Sequence, residues 1–150
     1  MRYSSGFLFF ILIAVQSVFA QNSIEITDVW INEAPPTVKI LAGYFTIVNL
    51  SDVPVDLIAA QSPAFERVEF HLTETQDGVA RMQKLETISI PAQSDFSFSP
   101  GEYHLMLFNP VKTTKAGEMI SLQLTFSNGT NIDVEAEVKR SESPPHHHHH

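Results

Sequence analysis

From Ile24 onward the chain runs as short stretches in which apolar and polar residues take turns, each ended by residues that turn the backbone. "IEITDVWI" (24–31) alternates only in part and leads into a polar loop carrying Pro35-Pro36. "LAGYFTIVNL" (41–50) is β-branched and aromatic, and turn residues from Asn49 to Pro54 end it. "VDLIAA" and "FERVEFHLTET" (65–75) follow, and Asp77-Gly78 separates the latter from "VARMQKL" (79–85) in the manner of a hairpin. "TISI", "DFSFS", "GEYHLMLF" (101–108), "MISLQLTF" (119–126) and "TNIDVEAEV" (130–138) continue the series, with Pro100-Gly101 and Asn128-Gly129 as breaks. No helical period is sustained over about ten residues. Many short strands at regular spacing predict an all-β Greek-key sandwich or barrel, in one domain without internal repeats.

The two ends do not fit that pattern. "MRYSSGFLFFILIAVQSVFA" has an early Arg2, an apolar run from Phe7 to Val15, and small residues at Val18 and Ala20. This is the layout of a secretory signal peptide over residues 1–20, cleaved after Ala20, with an apolar run short for a membrane span. The alternative is an uncleaved anchor. Residues 21–140 then form the folded domain, and 141–150 a disordered tail ending in His146, His147, His148, His149 and His150. That tail is either native, with imidazoles able to take Cu(II), or a purification tag. Five histidines rather than six, and the presence of the leader, favour a native tail.

Charge and cysteine count narrow the chemistry. Nine Lys+Arg against seventeen Asp+Glu give a formal charge of −8, and loss of the leader removes Arg2 and no acid. Such a balance opposes nucleic acid and anionic membrane surfaces as partners. The chain has no cysteine, which excludes disulfides, thiolate metal sites and lipid attachment at an N-terminal Cys. A soft-metal site here has only Met and His to use.

Outside the tail there are two histidines, His71 and His104, and after the leader three methionines, Met82, Met106 and Met119. Four of these five form the pattern His71-x10-Met82-x21-His104-x-Met106. In "RVEFHLTE" the apolar Val68, Phe70 and Leu72 face the core, which leaves His71 on the outer face. A four-residue "TQDG" loop would set His71 directly opposite Met82, and a loop one residue shorter would make them diagonal neighbours. In "GEYHLMLF", Tyr103, Leu105 and Leu107 share one face and His104, Met106 and Phe108 the other. A cluster of two imidazoles and two thioethers suits Cu(I). Zinc prefers Cys, His and carboxylate, and a blue-copper centre needs a thiolate. Phe108 is then expected at an apolar rim where an acceptor docks. Taken singly, each Met reads as gap-filling and each His as a hydrogen-bonded residue; the joint spacing argues for the metal. Glu66, Glu69 and Glu74 read as a solvated strand face rather than a catalytic pair, and Asn49-Leu50-Ser51 and Asn128-Gly129-Thr130 as chance glycosylation patterns.

This spaced motif resembles the signature of the PCu(A)C periplasmic copper chaperones. "AGYFTIVN" (42–49), "VEFH" (68–71), "DGVARM" (77–82), "ISIPA" (88–92) and "PGEYHLMLF" (100–108) share the family character, as do Trp30 and the Pro pair. The resemblance implies a cupredoxin-like β-barrel that binds Cu(I) through His71, Met82, His104 and Met106. It implies delivery toward the binuclear copper centre of cytochrome c oxidase subunit II, with a thioredoxin-like copper chaperone as a further partner, and no enzymatic activity. Leu72 stands where the family often has Met, which removes a spare thioether and leaves the four-ligand set intact. Rival readings are a metal buffer acting through the His tail, a structural β-sandwich without metal, and a copper-dependent redox enzyme.

Overall fold

The computed structural model describes residues 23–140; the expected leader and histidine tail lie outside them. The described residues form ten strands and no helix: β1 (Ile24–Asn32), β2 (Ile40–Asn49), β3 (Val55–Gln61), β4 (Phe65–Gln76), β5 (Val79–Leu85), β6 (Ile88–Ile90), β7 (Ser94–Phe98), β8 (Tyr103–Pro110), β9 (Met119–Phe126) and β10 (Asn131–Lys139). Hydrogen bonds link them in the order β5-β4-β8-β2-β1-β10-β9-β3-β6, with β7 also on β2. The order is that of a folded-over sheet with open edges at β5 and β6, and the inward sides of its strands meet in one apolar core. The all-β expectation holds.

Alternation builds that core. In β2, Leu41, Phe45 and Ile47 are buried while Ala42, Tyr44 and Thr46 face outward; in β9, Ile120, Leu122, Leu124 and Phe126 are buried. Each such side chain contributes about 1.5–3 kcal/mol through burial. Phe45 stacks on Phe98 with ring centroids 4.3 Å apart. Gly43 fits where β2 crosses β8: a Cβ there would lie 3.1 Å from Leu107 Cδ1 and 3.4 Å from Leu105 Cβ. A side chain at this position would press on both leucines, which would have to give by a few tenths of an ångström.

The partial alternation of β1 has a local cause. Thr27 pairs with Thr46 and Trp30 with Tyr44, so one extra residue is accommodated between them, and Asp28 takes φ 53°. This bulge changes which residues point inward. Ile24 and Ile26 lie inward before it, and Ile31 after it, leaving Trp30 outside against Tyr44 with centroids 4.5 Å apart. Beyond the bulge, β1 also pairs in parallel with β10, Trp30 to Glu137 and Ile31 to Val138. That link joins the two halves of the sheet.

Asn49 is 1% exposed and pins the corner after β2. Its Nδ2 donates to the carbonyls of Val53 and Pro91, each at 3.0 Å, while its Oδ1 accepts from the Ser51 amide and hydroxyl. With its amide engaged inside the fold, the Asn49 glycosylation pattern is closed to modification in the native state.

Candidate metal site

The β4–β5 hairpin and β8 supply the four residues of the spaced motif. The hairpin turn is Asp77-Gly78 alone, with both residues at positive φ (52° and 76°). That geometry is the type I′ turn favoured by Asp-Gly, whose twist matches the strands it joins. Gln76 therefore pairs with Val79, and the expected four-residue loop is corrected to two. Met82 stands opposite Thr73, and His71 opposite Lys84. His71 and Met82 share a face as diagonal neighbours, brought about by a loop two residues shorter than expected rather than one.

On its other side β4 pairs with β8, and here His71 lies directly opposite His104, with Glu69 opposite Met106. The two imidazole centroids are 5.9 Å apart. Each ring centre of a metal-bound imidazole sits about 3 Å from the ion, so a shared ion sets two rings about 5–6 Å apart. Directly opposed residues point to the same face, and Met106 lies two positions from His104. All four side chains thus share one outward face across three adjacent strands, with His71 and His104 directly opposed, Met82 two positions to one side of that pair and Met106 two positions to the other. Met119, the third methionine, is exposed on β9 opposite Glu137, away from this patch.

The ring nitrogens are assigned by their partners. His104 Nδ1 lies 2.9 Å from the Glu102 carbonyl oxygen, which can only accept. Nδ1 therefore carries the proton in the neutral ring, and Nε2 the lone pair. His71 is the converse: its Nε2 lies 2.9 Å from Glu69 Oε2, leaving the lone pair on Nδ1. Among the described residues, His71 Nδ1 is the buried side-chain polar atom without a hydrogen-bond partner. Leaving such an atom unpaired costs about 1–3 kcal/mol. An imidazole held by a carboxylate through one nitrogen, with the other bare, has the form of a metal ligand with its supporting partner.

Glu69 corrects the expectation of a solvated face. Its side chain is 13% exposed and meets His71, Arg67 at 2.7 Å and Lys84 at 3.3 Å. The hydrogen bond from His71, with those from Lys84 and Arg67, holds its carboxyl down at about 2 against the opposing effect of burial. It remains ionised and acceptor-only, which keeps the His71 tautomer fixed. The i, i+2 spacing of Glu69 and His71 on a strand was the available signal for this contact.

Two further expectations are refined. His104 lies on the outward face yet is only 6% exposed, flanked by His71 on β4. Extending the β2–β8 register beyond Gly43–Leu105 brings Tyr44 level with it on the other side. Burial pushes the Tyr44 hydroxyl pKa up. Phe108 is not a bare apolar rim, because the Arg67 guanidinium sits 4.1 Å from its ring centroid. Among the described residues, no group of three or more His, Cys, Asp or Glu converges as a metal site. A cleft of about 470 Å³ lies elsewhere, lined by Gln61, Ser62, Pro63, Ser121, Leu122, Gln123 and Asp133.

Residues 24–138 match the LpqE-like family model. The lipoprotein-designated Lxx21020 of Leifsonia xyli subsp. xyli is 28% identical over 119 residues, covering 79% of this chain and 70% of that protein. Among solved structures, Cu(I)-bound DR1885 from Deinococcus radiodurans superposes with a TM-score of 0.66 at 26% identity, over 84% of both chains. The copper-bound PCuAC domain from PmoF2 gives 0.69 at 24% identity, over 82% of this chain and 97% of that domain.

Proposed function

From its membership of the LpqE-like group of the PCu(A)C family, a family of copper-binding domains, we propose that this chain is an exported Cu(I) chaperone whose cargo sits on His71 Nδ1, His104 Nε2 and the sulfurs of Met82 and Met106. The observation that carries this reading is the orphaned, buried Nδ1 of His71, whose other nitrogen is held by an ionised carboxylate. A lone pair kept bare at that cost has a use once a metal occupies the patch. Two soft thioethers beside two imidazoles, all neutral donors, favour Cu(I) over zinc. The chain carries cargo and is not an enzyme.

The receiving protein on this reading is cytochrome c oxidase subunit II at its binuclear copper centre, with a thioredoxin-like copper chaperone as a second partner in the periplasm. The family resemblance of the spaced motif supports this acceptor, while the Cu(I)-bound structure and the export-type leader support only copper as cargo and export of the chain. Cu(II) at the histidine tail is a secondary capacity.

Titration with Cu(I) against a chromogenic chelator tests the site. The full chain and a variant lacking residues 146–150 should bind one Cu(I) with equal affinity, and His71→Ala with His104→Ala should abolish it. Loss of all tight binding on tail removal would transfer the function to the tail. Delivery is tested by mixing Cu(I)-loaded protein with the apo copper domain of oxidase subunit II, separating the two and measuring the copper held by each; no gain of copper by that domain would refute this acceptor.

A further inference from the structure

The four donors of the patch are held very unequally. His71 has a side chain 12% exposed and is tied through Nε2 to Glu69. His104 is 6% exposed and tied through Nδ1 to the Glu102 carbonyl. Met106 is partly buried on β8, a strand paired on both flanks, with Ala42 across from it on β2 and Glu69 on β4. Met82 differs in every respect. It is 56% exposed on β5, the strand at the open edge of the sheet, which pairs with β4 alone. From Val79 to Lys84, every residue of that strand is exposed.

Resting on the copper site proposed above, we infer that Met82 is the exchangeable donor: copper enters and leaves by replacement of its thioether, while His71, His104 and Met106 hold the ion. Releasing Met82 uncovers no packed surface, since its side chain is already in solvent. Releasing Met106 requires moving a partly buried side chain on a strand flanked by β2 and β4, and releasing His71 leaves its buried Nδ1 unpartnered again. Edge strands with few buried contacts also open at lower free energy than central ones.

The handover is a ligand exchange without electron transfer. The Met82 sulfur–copper bond breaks and a bond from an incoming soft donor forms, with copper Cu(I) throughout. The partner must therefore offer a thioether or thiolate on a protruding loop or segment able to reach over β5. The aromatic pair Trp30–Tyr44 stands on the opposite, β1–β2 side of the patch, so the approach is one-sided.

Bathocuproine disulfonate, a Cu(I) chelator, serves as the extracting partner in stopped-flow experiments on the full chain, Met82→Leu and Met106→Leu. A donor that has left before the rate-limiting step affects rate and affinity alike, whereas one still bound affects affinity alone. Met82→Leu should weaken Cu(I) binding and speed extraction by the same factor, about tenfold. Met106→Leu should weaken binding at least as much, with extraction within about threefold of the parent. Equal coupling of rate to affinity in the two variants, or coupling in Met106→Leu alone, overturns the inference while leaving the site standing. Failure of the parent to take up Cu(I) overturns the site itself. X-ray absorption on Cu(I)-loaded Met82→Leu should show two nitrogens and one sulfur; two sulfurs would also overturn the exchange through Met82.

Discussion

The outward faces of the two halves of the sheet are both polar, and they use polarity in opposite ways. On the β3–β9–β10 face the side chains satisfy one another across the strands. Gln61 Nε2 donates to Gln123 Oε1 at 2.6 Å, Gln123 to Asp133 at 2.9 Å and Thr125 to Asn131 at 2.8 Å, while the Ser121 hydroxyl bonds Glu135. On the β4–β5–β8 face, Glu69 gathers Arg67, Lys84 and His71, and the arrangement ends on a buried nitrogen with no partner. A self-satisfied ladder keeps a sheet soluble. A network that stops one bond short has its last partner missing, and the 470 Å³ cleft beside the satisfied ladder shows that concavity alone does not mark the reactive face.

The contrast is broken most severely at His71. His71→Leu should lower Cu(I) affinity at least about 100-fold, beyond the usual loss of a supporting partner. Stability of the metal-free protein in urea should stay within about 1 kcal/mol, because the lost bond to Glu69 is offset by removal of the orphaned atom. A large destabilisation would make His71 a structural residue instead. Glu69→Gln tests the support one step back. It should cost about 10–100-fold in Cu(I) affinity with stoichiometry unchanged, measured by the same chelator competition.

Acid titration sharpens the same point without metal. The Glu69 carboxyl lies at about 2, below its ordinary 4.5, so the folded state holds its ionised form. An acid depressed in this way contributes its full stabilisation above its ordinary value and loses it as pH falls through the depressed one. Urea unfolding of the metal-free protein should weaken between about pH 5 and pH 2, by about 1 kcal/mol from this group once solvent screening of its half-exposed Arg67 and Lys84 partners is allowed for. Glu69→Gln should flatten that part of the curve. The smallest effect belongs to the other face: Gln123→Ala should leave Cu(I) affinity unchanged and shift stability by no more than about 1 kcal/mol, since its partners turn to water.

Strand alternation made most of this fold legible, because a side chain's face follows from its position along its own strand. All ten strands were visible in that way, and so was the shared face of His104 and Met106. What escaped depended on neighbours distant in sequence. The burial of His104 is set by flanking strands, and the register of β4 against β8, which brings His71 opposite His104, has no local marker. The hairpin length was misjudged because Thr75 and Gln76 are polar and resemble loop, although Asp77-Gly78 closes the turn unaided. In β1 the disturbed alternation was visible, but the bulge that explains it shows only once Thr27 and Trp30 are matched to β2. The Glu69–His71 contact was local and within reach; it was missed because an acidic residue on an outer face ordinarily meets water.

The two-residue turn gives the number ten in the motif a physical meaning. Of the residues between His71 and Met82, five climb β4, two turn and three descend β5. The spacing is therefore a height, and what the site depends on is odd against even. A hairpin taller by one rung, with one residue added to each limb above Thr73 and Met82, would read x12 and hold its sulfur in the same place. A single residue added to one paired limb, with the two-residue turn kept and no bulge to absorb it, would turn the thioether to the far side of the sheet. Relatives with altered spacing are better judged by parity than by count, and the turn becomes the place where the reach of the exposed donor can be lengthened without disturbing the other three.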